Sequence, residues 1–382
     1  MERAAVPSTV MTTPAEKILI VRHGPGRGRL SNYLQWALDD IVKRWPRLSE
    51  RLRFHHTGES TPDLGDIRAV VFWLSDPLRE RYPHCYADAA RIRDDARARG
   101  VRIVNDPDAL SNTIKSVQAR HWRAAGVPTP AHYPFGTRSQ LEDAVSMAAF
   151  PVVLRADQLH ALEGMRFCAT PDDVLSRPDE TIRYPGALAK FVDVRSGYEV
   201  SNPRTVWSQL FHKKRQFVFG HVTRTSHLFF SAEPLVASST CTFRLPPEHV
   251  SRWQRGVARL TKRLPQANAS RWKAILAEDP ASRPAFDLFQ AALREDLRYW
   301  EAGSDQADVM RAAMSALGLD FAAIDYSSLA DGSVVLWEAN PYFNLPSARQ
   351  RMLPKERRTQ ERLTSYADAI AEFLGSLVGD VP

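Results

Sequence analysis

Asp325, Glu338 and Asn340 are the residues of this chain whose types and spacing best suit chemistry. They lie in two apolar-rich runs, LDFAAIDYSS and SVVLWEAN, separated by LADG. Asp-Gly between alternating apolar runs predicts an antiparallel hairpin over residues 319–340. With Asp331 and Gly332 as a two-residue turn, outward pairing sets Asp325 opposite Glu338, with β-carbons about 5 Å apart on one face. Asn340, two residues on, points the same way. That face then reads Phe321, Ala323, Asp325, Val334, Leu336, Glu338 and Asn340, against Ala322, Ile324, Tyr326, Val335, Trp337 and Ala339 behind it. Both faces are mostly apolar, which predicts cover on both sides. Two carboxylates so placed repel, and one takes up a proton unless a cation sits between them. Together with an amide oxygen they form a partial shell for a hard cation such as Mg2+.

The elements that must position these groups belong to a chain of 382 residues, long enough for two or three domains, each with its own core. Its 44% hydrophobic and 25% charged content is that of a globular protein. No apolar run approaches the ~20 residues of a transmembrane helix, so no membrane partner is expected. Residues 1–16 lack the apolar segment of a secretory signal and read as a disordered lead-in. Cys85, Cys168 and Cys241 are far apart, odd in number and without metal-like spacing, as free thiols in a reducing cytoplasm would be. The net charge of +7 comes from arginines scattered through helices rather than from a basic stripe with interleaved aromatics. That pattern argues against nucleic acid and suits an Arg-rich surface or an anionic substrate.

From the start of the chain, KILIVRHG (17–24) predicts a buried strand ending in the glycine-rich turn RHGPGRG. A helix follows from about Ser31 to Lys43, then strands at Leu52–His56 and 67–75, a helix from about Tyr86 to Arg99 and a strand at VRIVN. This alternation predicts a small parallel sheet flanked by helices. Gly24, Gly26 and Gly28 are wrongly spaced for a dinucleotide fingerprint, and His55 and His56 stand where a ribose-binding acid belongs. Arg-His-Gly also resembles the histidine phosphatase motif, which would make His23 a phosphorylated nucleophile; a plain strand-to-helix junction is the alternative.

NDPDALSNTIKSVQARHWRAAGVPTPAHYPF (105–135) predicts a helix capped near Asp108 or Ser111, ended at Gly126 and followed by an extended, Pro-punctuated segment. FPVVLRADQLHALEGMRFCATPDDV (150–174) predicts strand, loop, strand and a helix start at Pro171-Asp172-Asp173. PGALAKFVDVRSG (185–197) supplies a strand, and LFHKKRQFVFGHVTRTSHLFFS (210–231) a hairpin turning at Gly220. Residues 246–317 are polar and amphipathic, through ARLTKRL, RWKAILAE and AFDLFQAALREDLRYWEA. Arg349 and Arg351 follow the acidic end, and a helix runs from about Arg358 to Leu377.

Asp with Glu-x-Asn-Pro beginning thirteen positions on, after a Gly-Leu-Asp segment, resembles the magnesium-binding end of the ATP-grasp family; Asn-x-Pro, a one-lysine helix and Gly-Val-Pro-Thr-Pro resemble its entry. The resemblance covers roughly residues 105–350. It implies an α/β (α+β) fold: a small parallel-sheet domain (17–105) before a two-lobed ATP-grasp domain (106–382) with antiparallel sheets. Its small lobe would span about 127–193, its large lobe about 194–350, with the final helix at 358–377. The resemblance implies that Asp325, Glu338 and Asn340 hold Mg2+. It gives Lys115 to the ATP phosphates and Arg155 to a position where the family has a lysine. It gives the backbone of Lys190, Phe191 and Val192 to the adenine edge, Asp193 to the ribose, and Arg215 to the transferred phosphate or substrate carboxylate. Lys213, Lys214 and Arg215 would otherwise be an exposed basic run. The implied function is an ATP- and Mg2+-dependent ligase that activates a small-molecule or peptide carboxylate as an acyl phosphate for capture by an amine or similar nucleophile, with a C–N bond formed in the amine case. Arg155 and a flap whose one glycine is Gly164 suggest, as a second reading, a nucleotide-binding regulator without turnover. The 246–317 segment is left to shape the acceptor site or a subunit contact, as in a homodimer.

Overall fold

The computed structural model describes residues 16–24, 35–160, 163–198, 210–236, 277, 283–303, 306–343 and 357–379. The lead-in up to residue 15, Gly26, Gly28, Ser31, Cys241, Arg349, Arg351 and the ARLTKRL stretch, with RWKAILAE apart from Glu278's neighbour at 277, lie outside the described residues. The architecture is α/β: a parallel sheet followed by two antiparallel sheets, each of four strands.

β1 (Lys17–Arg22), β2 (Leu52–His56), β3 (Ile67–Phe72) and β4 (Arg102–Val104) form the parallel sheet in the order β2-β1-β3-β4. The helices between them are α1 (Gln35–Arg44), the short α2 (Pro46–Glu50) and α3 (Leu78–Arg81), and α4 (Pro83–Ala98). A 3-10 turn (Ala109–Thr113) leads into α5 (Lys115–Ala124). The small lobe follows: β5 (His132–Phe135), α6 (Arg138–Met147), β6 (Val152–Ala156), β7 (Arg166–Cys168), the short α7 (Asp172–Leu175) and β8 (Gly186–Lys190). Its sheet runs β5-β8-β6-β7, antiparallel throughout.

The large lobe is the sheet β10-β9-β11-β12, from β9 (Phe211–Phe219), β10 (Val222–Ser231), β11 (Phe321–Ser328) and β12 (Val334–Asn340). β9 and β10 turn at Gly220, whose φ of +56° is reached at little cost by glycine. Three helices accompany it: α8 (Arg283–Ala302), α9 (Ala307–Leu317), stopped by the left-handed Gly318, and α10 (Arg357–Leu377). No described helix is long and apolar enough to cross a membrane.

The small lobe has a core of its own, around Leu141, Val152, Leu154 and Leu188. The N-terminal sheet does not, contrary to the expectation of one core per domain. Ile18, Ile20, Val71 and Trp73 share a core with Phe217, Phe219, Phe321 and α10, while Leu19, Val21, Val70 and Phe72 share another with Val218, Ile324, α4 and α9. Alternate residues of short parallel strands need cover on both faces, and the large lobe with its helices supplies much of it. Asn105 fastens the join. Its left-handed backbone (φ +53°) lets its N–H reach Asp320 Oδ2 at 2.8 Å. Its side chain accepts the N–H groups of Asp320 and Phe321, at 2.7 and 3.1 Å, and donates to the Phe321 carbonyl at 2.9 Å.

Candidate functional site

The site is built on one row across the large-lobe sheet. Arg215 on β9 stands opposite Asp325 on β11, which stands opposite Glu338 on β12. The pairing of the two acids follows the sequence expectation, but the route to it differs. The turn is not the two-residue Asp331-Gly332 type: Ser328 pairs with Val334, and Leu329 N–H donates to the Ser333 carbonyl. That register is one residue off, and a bulge between Tyr326 and Asp325 restores it. Val334 and Leu336 therefore pack with Ala322, Ile324 and Tyr326, while Val335 and Trp337 join a separate cluster with Phe191 and Phe211, the reverse of the faces expected for these four residues.

The carboxylates do not rely on a proton or a divalent ion to tolerate each other. Asp325, wholly buried, takes Arg215 Nε at 2.6 Å and Nη2 at 3.0 Å, and Lys213 Nζ at 2.9 Å. Glu338 has Lys115 Nζ at 3.4 Å and Arg155 Nη2 at 3.5 Å, and accepts the Asn340 amide N–H at 3.1 Å. Burial alone would push both carboxyls up. Arg215 and Lys213 outweigh it at Asp325, which lies below the usual range; Lys115, Lys213 and Arg155 outweigh it at Glu338, which lies well below. Both are carboxylates at neutral pH. Four cations around two anions form a cluster suited to a further anion.

Lys115 arrives by a tertiary contact, not the expected cap. Neither Asp108 nor Ser111 caps α5, which begins at Lys115 after Ile114 with no side-chain cap. Instead Asp157, just past β6, accepts the Lys115 N–H on its carbonyl at 3.1 Å and the Ser116 N–H on its carboxylate at 2.8 Å. This joint sets the end of β6, with Arg155, against the start of α5, with Lys115, and supplies acceptors to otherwise unpaired helix N–H groups. One turn along α5, Gln118 takes the Ala339 N–H on Oε1 at 2.9 Å and donates to the Trp337 carbonyl at 3.4 Å, gripping the backbone on both sides of Glu338. Arg155 is buried and lowered by desolvation, against the pull of Glu338 and Asp157, and its Nε has no hydrogen-bond partner among the described residues. A cavity of about 340 Å3 opens beside it, lined also by Glu163, Gly164, Arg166, Thr181 and Arg183. His132, beside the same cations, is held neutral, its pKa pushed down to about 3 by burial and then by Arg155.

Lys190, Phe191, Val192 and Asp193 make no hydrogen bond or ion pair with the ionic cluster among the described residues, although Phe191 and Val192 pack with Trp337, the neighbour of Glu338. β8 ends at Lys190; the Lys190 N–H is taken by the Ala131 carbonyl at 2.8 Å and the Phe191 N–H by Pro151 at 3.1 Å. Of the three N–H groups assigned to a base edge, that of Val192 has no bond to the chain among the described residues. Phe191 packs edge-on between Phe167 (4.9 Å between centroids) and Phe211 (5.9 Å), an apolar wall with Trp337 near it. Asp193 is exposed and paired with Arg195.

His23 is fully buried, and its Nε2 accepts the Ser75 N–H at 2.7 Å, so no accessible nucleophile stands there and the phosphatase reading loses its residue. Sequence reasoning also missed Lys213 and Gln118. The basic-run reading of Lys213 overlooks its i, i+2 spacing from Arg215, which on a strand puts both on one face. Gln118 lies three residues from Lys115, on the same side of a helix, but only the packed structure shows what that side meets.

No family model matches the chain, and no curated protein does. Among solved structures, it is similar to the ATP-grasp ligase PsnB, at 12% identity over 94% of this chain and 100% of that one, with a TM-score of 0.48. It is similar to the VanG D-Ala:D-Ser ligase from Enterococcus faecalis at 9% identity, over 96% and 99% of the two chains, with a TM-score of 0.48. For the D-cycloserine synthetase DcsG the figures are 14% identity, 94% and 99%, and 0.45. Across nearly its whole length, this chain is similar to solved ATP-grasp ligases.

Proposed function

We propose that the chain is an ATP- and Mg2+-dependent ligase that activates a carboxylate as an acyl phosphate for capture by an amine. The observation that carries this reading is the cross-strand row Arg215–Asp325–Glu338 with Lys115 and Arg155 closing on its acidic end. Four cationic side chains converging on two ionised carboxylates suit a bound polyphosphate and hard cations together.

The donors fit Mg2+ by their chemistry. Asp325 and Glu338 are both ionised, and Asn340 gives its N–H to Glu338 while keeping its amide oxygen as a donor. Glu338, the more accessible of the acids and the more loosely paired, is the principal ligand in this reading, and Asp325 shares its oxygens with Lys213 and Arg215. Bound there, Mg2+ would neutralise phosphate charge and polarise the γ-phosphoryl oxygens. Lys115 and Arg155 orient the phosphates; Arg215, fixed by Asp325, presents a preorganised positive charge to the phosphoryl group or the substrate carboxylate. The Val192 N–H and the Phe191 wall take the base, with Asp193 toward the ribose.

In this reading a carboxylate oxygen attacks the γ-phosphorus, the bond to the β-phosphate oxygen breaks, and ADP leaves with the electron pair. The acceptor's ammonium releases a proton to solvent, the resulting amine attacks the acyl carbon, the C–O bond to phosphate breaks, and phosphate departs with the second proton from nitrogen. Positioning and charge do the work, and no side-chain nucleophile is needed. Buried, free Cys85 and Cys168 agree with a reducing cytoplasm.

The test is calorimetry with Mg·AMPPNP on wild type and Glu338→Gln, followed by ADP release with carboxylate and amine mixtures. Mg2+-dependent nucleotide binding that Glu338→Gln removes is the expected result. Binding that ignores Mg2+ and Glu338 would end the proposal. Tight binding without ADP release under any mixture would favour the regulator reading, which the arginine at position 155 motivates.

A further inference from the structure

A second set of groups lies at the C-terminal edge of the parallel sheet. In the order β2-β1-β3-β4, the chain leaves β1 to one side for β2 and reaches β3 on the other, so β1 and β3 flank a topological switch point, where α/β sheets open a crevice for ligands. His23 follows β1, and Ser75 and Asp76 follow β3. The bond from Ser75 N–H to His23 Nε2 fixes the turn that carries Asp76. His23 meets the rings of Tyr82 and Tyr342 edge-on, at 5.2 and 5.6 Å between centroids; Tyr342 is two residues past Asn340, so this end of the sheet adjoins the acidic row.

Asp76 is 1% exposed, and its Oδ2 has no hydrogen-bond partner among the described residues. A carboxylate oxygen left in that state is costly unless something fills the place. His160, from the loop after β6, stands over it: Nε2 donates to the Asp76 carbonyl at 2.9 Å and lies 3.5 Å from Oδ2. His160 lies shortly after Arg155, whose Nη2 stands 3.5 Å from Glu338, so one stretch of chain serves both Asp76 and the ionic cluster.

We infer that Asp76 is the docking point for a positively charged nitrogen of the acceptor substrate, with His160 covering it until that nitrogen arrives. The inference rests on the ligase reading and narrows it to acceptors that enter as ammonium ions. An ammonium offers N–H donors and a charge to an incompletely paired buried carboxylate, which a neutral nucleophile does not.

The experiment uses the full chain saturated with Mg·AMPPNP and compares L-alaninamide, charged at neutral pH, with uncharged N-acetyl-L-alaninamide, by calorimetry. Wild type is expected to bind the charged probe at least about tenfold more tightly, and Asp76→Asn to bring that ratio close to one. His160→Ala, at a half-exposed position, serves as a second variant in case Asp76→Asn does not fold; it is expected to raise the charged probe's affinity by removing the competing contact. Equal affinities in wild type, or a preference that survives Asp76→Asn, would overturn the inference while leaving the nucleotide site standing. Failure of wild type to bind Mg·AMPPNP would overturn the ligase reading and this one with it.

Discussion

Arg215 and Asp325 face each other on adjacent strands and close a two-point ion pair, Nε to Oδ1 at 2.6 Å and Nη2 to Oδ2 at 3.0 Å. Asp325 is wholly buried, so its charge is tolerable only because Arg215 and Lys213 are held against it. The backbone behind Arg215 is fixed in turn: Tyr299 of α8 donates its hydroxyl to the Arg215 carbonyl at 3.1 Å. The other acid, Glu338, is gripped at longer range by cations from another sheet and from α5. The two carboxylates thus differ in kind, and the difference can be measured.

Asp325→Asn leaves two partly buried cations beside a neutral, fully buried amide and is expected to lose ~3 kcal/mol of stability in urea denaturation. Glu338→Gln, at longer contacts, is expected to lose about 1–2 kcal/mol while weakening Mg2+-dependent nucleotide binding by at least about tenfold. Equal stability losses would contradict this division.

Arg155 offers a planar fork where a lysine offers a point charge. Arg155→Lys is expected to keep nucleotide affinity within about tenfold, and Arg155→Met to lose about 100-fold, as dissociation constants for Mg·AMPPNP. A methionine variant that binds like wild type would remove Arg155 from the phosphate site.

Gln118 touches neither carboxylate but holds the backbone on both sides of Glu338. Gln118→Leu is expected to cost about 1–3 kcal/mol from the unpaired Ala339 N–H, and to weaken nucleotide binding although no charge is removed. A nucleotide affinity unchanged in Gln118→Leu would show that Glu338 does not need this support.

Asp325 and Glu338 both have folded-state pKa values below their ordinary ones. Each therefore contributes stability that is fully present above its unfolded pKa of about 4 and is lost as pH falls through the folded value. Thermal melts should show wild-type stability falling below pH ~4, and Glu338→Gln should flatten that limb. An identical acid limb in the variant would contradict the depressed value.

The alternating apolar residues around Asp-Gly place the hairpin, but the Asp325–Glu338 pair holds only because a bulge offsets a turn one residue off the two-residue register. The pattern did not reveal the longer loop and the compensating bulge, which together leave that pairing intact but turn Val334, Leu336, Val335 and Trp337 over. The strands, most helix positions and the parallel start of the fold were legible because each depends on neighbours close in the chain. Lys115 was singled out, but the cap that sets it in place comes from Asp157, 42 residues away by number from position 115. Lys213 against Asp325, Gln118 around Glu338 and His160 over Asp76 join segments far apart in the chain. Residue types and spacing determined which groups were available; packing of three sheets determined which charges meet, since only burial makes an unpaired charge costly enough to select its partner.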